Sequence, residues 1–204
     1  MTPARPTGAR HFVTDRRRFS LSIDALIARA ATAVRGGVDV IQVRERDLTD
    51  RDLVALVRRL CGVAAGSATR IVVNDRADVA MAAGAAGVHL RGDSPPASRL
   101  RSWVPTGFLI GRSVHSLAEV DAAVADAGCD YLLFGTVFAS DGKPDGHPVA
   151  GLVRLRQACA RSTVPVLAIG GINEGRTADV LAAGAAGVAA VGWFMGLTPL
   201  PQVV

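Results

Sequence analysis

One local pattern recurs along the chain and restricts the folds available to it. Each copy has an Ala-rich amphipathic segment, a glycine, one or two small or acidic residues and then a short β-branched run. The copies are AVRGGVDVIQV at 33–43, MAAGAAGVHL at 81–90, VADAGCDYLLF at 124–134 and LAAGAAGVAAV at 181–191. Glycine ends a helix with a left-handed backbone at no steric cost, and an uninterrupted apolar run suits a strand buried on both faces. The pattern therefore predicts repeated helix-to-strand joints.

Four more apolar runs lie between these joints and bring the predicted strands to eight. They are HFVTD at 11–15, RIVVND at 70–75, FLIGRSV at 108–114 and VPVLAIG at 164–170. Eight parallel strands alternating with helices close into a barrel. An open doubly wound sheet is disfavoured because no G-x-G-x-x-G follows a strand and the joints keep one form. We therefore predict an α/β fold, a single-domain (βα)8 TIM barrel over 1–204, with residues 1–10 as a flexible N-terminal extension.

The chain ends soon after the eighth predicted strand. The remaining segment, WFMGLTPLPQVV, contains two prolines, and proline interrupts a helix because it lacks an amide hydrogen. We therefore expect the last helix to be short or absent. A barrel wall left uncovered in this way is a place for a partner subunit, so a homo-oligomer is expected as well.

Composition narrows the class of ligand. The formal net charge is +5, and a positive field concentrates anionic substrates such as phosphates and carboxylates at a cleft. The arginines are scattered along predicted helices, which argues against nucleic acid as a partner. No apolar run of about 18 residues occurs, so we expect no membrane span and a cytoplasmic protein. Cys61, Cys129 and Cys159 lack metal-ligand spacing and are expected to be reduced thiols.

The ends of the strands carry the candidate site residues, because (βα)8 barrels bind substrates at the C-terminal ends of their strands. The second strand ends in Gln42, Arg44 and Arg46, whose alternation directs three long polar side chains to the same side. Paired guanidinium groups bind phosphate or pyrophosphate oxygens. The alternative is a purely structural ion pair of Arg44 or Arg46 with Glu45 or Asp75.

The third and fourth strands end in groups that have two interpretations each. Asn74 and Asp75 either bind Mg²⁺ through oxygen atoms or cap the helix that begins at ADVAMAAG. His89 ends the fourth strand, where a hydrogen-bonded core histidine is favoured over a ligand or an acid–base group.

The fifth strand, IGRSVHS, places Ser113 and His115 on one side of an extended segment. Histidine exchanges a proton near neutral pH, so His115 is the best general acid–base candidate in the chain. A helix cap is the alternative role for His115. Ser116 fills that role better, because Glu119 three residues later completes a capping box.

Two further segments supply anion-binding candidates. The hydrophilic segment ASDGKPDGHPVAG after the sixth strand is long enough to cover a site, and its Lys143 is the one lysine among 23 lysine and arginine residues. An exposed lysine retained by chance is the alternative. Gly170, Gly171 and Gly192 follow strands seven and eight, where barrels commonly bind phosphate on backbone N–H groups. A tight turn without a ligand is the alternative there.

Six motifs in order along nearly the whole chain carry a family resemblance: QVRER at 42–46, VNDR at 73–76, GVHL at 87–90, IGRSVHSLAE at 110–119, DYLLFGTVF at 130–138 and AIGGIN at 168–173. Together they resemble the thiamine-phosphate synthase superfamily, which contains two activities. The synthase joins hydroxymethylpyrimidine diphosphate to thiazole phosphate with loss of pyrophosphate. Thiazole tautomerase only aromatises the thiazole phosphate carboxylate.

The chain departs from the synthase pattern at three positions of the diphosphate and metal subsite. Arg46 stands where that pattern has a lysine, Ser94 where it has a second metal-binding Asp, and Gly142 where it has the second Thr of a TPTK-like run. The first metal-binding Asp of the pattern is retained as Asp75, and Asp93 lies one residue before the second. The resemblance therefore implies that Asp75 and Asp93 bind a metal only if the chain is a synthase.

The fifth strand and the segment FASDGK resemble the tautomerase branch, in which the residue aligned with His115 is a proposed acid–base group. We therefore expect a thiazole tautomerase without a cofactor. Its thiazole phosphate would bind to the three glycines named above, with Ser113 and Lys143 as further contacts. The alternative is the synthase, with Mg²⁺ as its cofactor. A second alternative is a non-catalytic phosphate-binding regulatory barrel.

Overall fold

Eight parallel strands form a closed barrel in the computed structural model, which describes residues 8–140, 144 and 146–196. The strands are β1 (Ala9–Val13), β2 (Val40–Val43), β3 (Arg70–Asn74), β4 (Gly87–Leu90), β5 (Leu109–Val114), β6 (Tyr131–Phe134), β7 (Val166–Ile169) and β8 (Gly187–Ala190). Each strand pairs with the next one in sequence, and β8 pairs with β1. The predicted (βα)8 barrel is confirmed.

Helices connect the strands on the outside of the barrel. They are α1 (Ile23–Arg35), α2 (Asp50–Ala64), α3 (Ala77–Ala83), α4 (Ala97–Arg101), α5 (Leu117–Asp126), α6 (Gly151–Arg161), α7 (Thr177–Ala182) and α8 (Gly192–Met195). The last of these has four residues, so the prediction of a short final helix is confirmed for the described part of the chain. Among the helices described, none is long and apolar enough to cross a bilayer.

The strands separate two apolar regions. Every second strand residue faces outward and packs against the helices. Examples are Phe12, Ile41 and Ile110, which are fully buried. A smaller cluster inside the barrel includes Tyr131 and Leu133. A Cβ at Gly111 would overlap the Tyr131 ring, so glycine is required there for the ring to fit inside the barrel.

The glycines of the helix-to-strand joints differ in role. A left-handed backbone occurs at Gly37, Gly84 and Gly184, as the repeated pattern predicts. In the joint before β6 it occurs at Ala127 instead. Gly128 packs there against the start of α4, where a Cβ would overlap the backbone of that helix. That glycine therefore permits close packing and does not make the turn.

The first strand begins earlier than the sequence predicts. Ala9 and Arg10 pair with Gly187 and Val188 of β8, so both belong to the barrel. The predicted flexible extension over residues 1–10 is therefore too long at its C-terminal end, because the pairing that closes the barrel holds those two residues. Residues 1–7 lie outside the described residues.

Candidate active site

A large cavity opens at the C-terminal ends of the strands. Its volume is about 1040 Å³, which is at the top of the usual range of about 300–1,000 Å³ for small-molecule sites. Most of the predicted site residues line it: Gln42, Arg44, Arg46, Asn74, Asp93, Ser113, His115, Gly170, Gly171 and Gly192. A space of this size accommodates two small substrates side by side.

Two side-chain amides form part of the cavity wall near its floor. Gln42 Nε2 donates to Asn74 Oδ1 at 2.9 Å, and Gln42 Oε1 lies 3.0 Å from His11 Nε2. The amide oxygen only accepts, so His11 Nε2 carries the proton. Burial lowers the pKa of His11 to about 4, which keeps the ring neutral. Sequence reasoning missed His11, although its place in the inward-facing alternation of β1 is a usable signal.

His89 is buried and hydrogen-bonded, as the sequence favours. Its Nε2 lies 2.9 Å from Ser113 Oγ and its Nδ1 lies 3.2 Å from the Tyr131 hydroxyl. Burial, followed by the nearby charges of His11 and Arg112, lowers the pKa of His89 well below its usual range. A neutral His89 therefore fixes the hydroxyl group of Ser113 at the edge of the cavity.

The two arginines at the end of β2 differ in their partners. Arg44 Nη1 lies 3.1 Å from Asp15 Oδ2, whereas Glu45 accepts from the backbone N–H of Arg16 at 3.1 Å and 3.2 Å. The structural alternative is therefore wrong about the partners of Arg44. Arg46 has no hydrogen bond or ion pair with the residues that the structure describes. Burial, and then the charges of Arg44 and a third arginine in the cavity, lower the pKa of Arg46.

That third arginine, Arg91, lies between the two predicted metal ligands. Its Nη1 is 3.6 Å from Asp75 Oδ2, and its Nη2 forms an ion pair with Asp93. Ser94 Oγ donates to the other carboxylate oxygen of Asp75. The alternative that Asp75 caps α3 is wrong, because that helix has no side-chain capping bond.

These residues do not fit a magnesium ion as they are arranged. Mg²⁺ requires near-octahedral oxygen ligands at about 2.0–2.1 Å, usually one or two carboxylates together with waters and substrate phosphates. Within residues 8–140, 144 and 146–196, no three acidic, histidine or cysteine residues group as a metal site. Both carboxylates of Asp75 and Asp93 already face the Arg91 guanidinium, whose positive charge repels a cation.

His115 presents one ring nitrogen to the cavity. Its Nδ1 donates to Gly135 O at 2.6 Å, because a carbonyl oxygen only accepts, and its Nε2 has no hydrogen bond with any described residue. Ser116 caps α5: its Oγ accepts from Glu119 N at 3.2 Å, while Glu119 Oε2 accepts from the backbone N–H of His115 at 2.9 Å. Ser116 therefore caps the helix as predicted, but the capping box is incomplete, because Glu119 accepts from the backbone N–H of the residue before the cap and not from that of Ser116. The imidazole of His115 takes no part in the cap.

The loop after β7 presents hydrogen-bond donors to the opposite side of the cavity. Gly170 and Gly171 have φ of +98° and +62°. The N–H groups of Gly171 and Gly192 have no backbone acceptor among the described residues. Arg176, which sequence reasoning missed, donates from Nη1 to Gly171 O at 2.5 Å and lies 4.6 Å from the centre of the Phe138 ring. Free N–H groups beside a guanidinium suit a phosphate.

Lys143 and Gly142 lie outside the described residues. Ala139 and Ser140, just before them, line the cavity. The contact of Lys143 with substrate therefore stays a prediction.

Comparisons with known proteins agree with one another. The family described as thiamine monophosphate synthase matches residues 10–194. A thiamine-phosphate synthase of Methanoculleus marisnigri is 44% identical over 170 residues, which is 83% of this chain and 79% of that protein. One of Roseiflexus sp. is 38% identical, covering 96% of this chain and 81% of that protein. The solved thiamine phosphate pyrophosphorylase of Pyrococcus furiosus has a TM-score of 0.82 at 31% identity, covering 95% of this chain and 90% of that one.

These comparisons correct the functional expectation. The thiazole tautomerase prediction is wrong, because relatives at 38% and 44% identity across most of the chain are named thiamine-phosphate synthase. That prediction gave too much weight to the fifth strand and the segment FASDGK. The predicted superfamily is confirmed, and within it the comparisons favour the activity treated as the alternative.

Proposed function

Because the chain belongs to the thiamine monophosphate synthase family, we propose that it is a thiamine-phosphate synthase. It transfers the hydroxymethylpyrimidine group from its diphosphate to the ring nitrogen of thiazole phosphate and releases pyrophosphate. The observation that carries this proposal is the pair of anion-binding clusters on opposite sides of one cavity. A reaction that joins two phosphorylated molecules requires two such clusters.

The thiazole phosphate binds on the β7–β8 side. The N–H groups of Gly171 and Gly192 donate to its phosphate, and Arg176 adds a positive charge beside Gly171. Backbone N–H groups and a guanidinium together are a common phosphate site in barrels.

The pyrimidine diphosphate binds on the β2–β4 side. Arg44 and Arg46 approach its phosphoryl oxygens from the end of β2, and both line the cavity. The Gln42 and Asn74 amides lie deeper, where they donate to and accept from the ring nitrogens and exocyclic amine of a pyrimidine. His11 is neutral and carries its one ring proton on Nε2, which can only donate. The Gln42 amide must therefore turn its oxygen, and not its NH₂ group, toward His11.

The reaction breaks the bond between the pyrimidine methylene carbon and the diphosphate oxygen. The bonding electron pair leaves with the diphosphate, and the thiazole nitrogen supplies its lone pair to the methylene carbon. Negative charge therefore grows on the leaving oxygen, and the guanidinium groups stabilise it there. No proton leaves the thiazole ring in this step, so His115 acts as a hydrogen-bonding contact and not as a base.

The test is a reconstituted assay with purified protein, hydroxymethylpyrimidine diphosphate and thiazole phosphate, with Mg²⁺ in one series and EDTA in another. We expect thiamine phosphate and pyrophosphate in equal amounts in at least one series. Omitting thiazole phosphate controls for simple hydrolysis of the diphosphate. Absence of thiamine phosphate from both series would overturn the proposal.

A further inference from the structure

Arg91 occupies a defined position between two carboxylates at the mouth of the cavity. It contacts Asp75 at 3.6 Å through Nη1 and pairs with Asp93 through Nη2. Its side chain is 51% exposed and lines the cavity, so part of the guanidinium remains open to a ligand. Five N–H donors in a planar group exceed what two carboxylate contacts use.

Hydrogen bonds from a side chain of β5 hold the loop that carries Arg91. Arg112, on β5, donates to Gly92 O at 3.2 Å and to Ser94 O at 3.1 Å, and it also bonds Pro95 O. The backbone N–H of Arg91 itself donates to Ser94 Oγ at 3.0 Å. These bonds connect both ends of the short segment and hold the backbone that carries Arg91, while Asp75 and Asp93 hold its side chain.

Arg91 acts electrostatically on Arg46, one of the two arginines that follow β2. Burial and then the charges of Arg44 and Arg91 lower the pKa of Arg46, and the charges of Asp15 and Asp75 act in the opposite direction, but Arg46 forms no ion pair with any described residue. Arg44 is paired with Asp15, and Arg91 faces Asp75 and Asp93, so Arg46 is the one of the three whose guanidinium has no ion pair among the described residues and is open to an anion. A diphosphate, with its several charged oxygens, is an anion of suitable size and charge.

We propose that Arg91, together with Arg46, takes the place of a divalent cation and binds the diphosphate group directly, so that this chain binds pyrophosphate without Mg²⁺. This inference rests on the proposed synthase function for the identity of the anion. Its physical basis is charge: the pair supplies two positive charges, as Mg²⁺ does, and guanidinium groups bind phosphoryl oxygens through paired N–H donors.

Calorimetric titration with inorganic pyrophosphate tests the proposal without any turnover. Wild-type protein should bind pyrophosphate in EDTA, and millimolar Mg²⁺, which itself binds pyrophosphate, should not strengthen that binding. Arg91→Gln should weaken binding about 10-fold or more, since a charge-assisted hydrogen-bonded contact is lost. Arg156→Gln removes an equal charge from the exposed face of α6, outside the cavity, and should leave the Kd unchanged.

A double variant provides the converse test. Arg91→Gly with Ser94→Asp removes the guanidinium and adds a carboxylate beside Asp75 and Asp93. It should bind pyrophosphate poorly in EDTA and regain binding in Mg²⁺, and circular dichroism would verify that it folds.

Each result separates the two proposals. Wild-type binding that requires Mg²⁺ would overturn the role of Arg91 and leave the synthase function standing. Wild-type protein that fails to bind pyrophosphate under either condition would also overturn the role of Arg91, while the synthase function is decided separately by the formation of thiamine phosphate. A Kd for Arg91→Gln equal to that of the control would also exclude Arg91 as a diphosphate contact.

Discussion

At the scale of single residues, the site depends on which atom of each side chain is already occupied. His115 uses Nδ1 to donate to Gly135 O and leaves Nε2 toward the cavity. Arg44 is paired with Asp15, whereas Arg46 is unpaired among the residues described. The donors and acceptors that remain free after these contacts are available to a ligand, and the structure, not the residue type, identifies them.

The role of His115 can be measured by substitution. His115→Asn should lower kcat of thiamine phosphate formation by less than about 10-fold, because a contact is weakened but no base is lost. Removal of a general base costs about 100-fold or more. Steady-state kinetics as a function of pH provide the measurement. A loss of that larger size, with disappearance of an ionisation from the kcat profile, would contradict the contact role.

At the scale of elements, the loops after the strands line the cavity and the strands set their spacing. The loop after β7 packs tightly on the loop after β6: a Cβ at Gly171 would overlap Ala139 O and lie 2.8 Å from Phe138 Cβ. The turns that precede the strands, at Gly37, Gly84, Ala127 and Gly184, lie at the other end of the barrel and do not line the cavity. The joints therefore build the barrel, whereas the loops after the strands determine which substrate it can bind.

The loop after β7 gives a second prediction. Gly171→Ala should raise KM for thiazole phosphate about 10-fold or more with a smaller change in kcat, because the loop must move away from Ala139 and withdraw its N–H donor. Gly66→Ala is the matched control: φ is +76° and no atom lies within 4 Å of the added Cβ. It shares the backbone penalty of about 1 kcal/mol without the overlap. Equal KM values for the two variants would count against the phosphate site.

At the scale of the whole molecule, the barrel encloses two neutral histidines. The rings of His11 and His89 lie 6.0 Å apart, and burial is the main cause of the lowered pKa of each. Both are held by hydrogen bonds to residues of other strands, namely Gln42, Ser113 and Tyr131. Protonation of either ring inside the closed barrel therefore opposes folding.

Stability should consequently fall in mild acid. The pKa of His11 is about 4 in the folded chain and about 6.5 when unfolded, so below pH 6.5 the unfolded chain binds more protons. The stability from neutral His11 is complete above about pH 6.5 and is lost as pH falls toward 4, at most about 3 kcal/mol. His89 acts in the same direction.

Urea unfolding at pH 7 and pH 4.5 checks this prediction. His11→Gln should reduce the difference in unfolding free energy between the two pH values, and His147→Gln, at an exposed histidine, should not. An unchanged difference in His11→Gln would contradict the assignment.

The sequence by itself determined the eight strands, the short last helix, the helix cap at Ser116 and the positions of the glycines that follow β7 and β8. Each of these depends on neighbours in the chain: periodicity, a missing Cβ or a side chain three residues away. The tertiary structure decided that Arg44 meets Asp15, that Arg91 lies between Asp75 and Asp93, and that His11 supports Gln42. Those contacts join residues from different strands and loops, and only barrel closure brings them within reach. These contacts decide which charged side chains remain unpaired and which ring nitrogen of a histidine carries the proton. The chemistry of the site was therefore less predictable from the sequence than the fold.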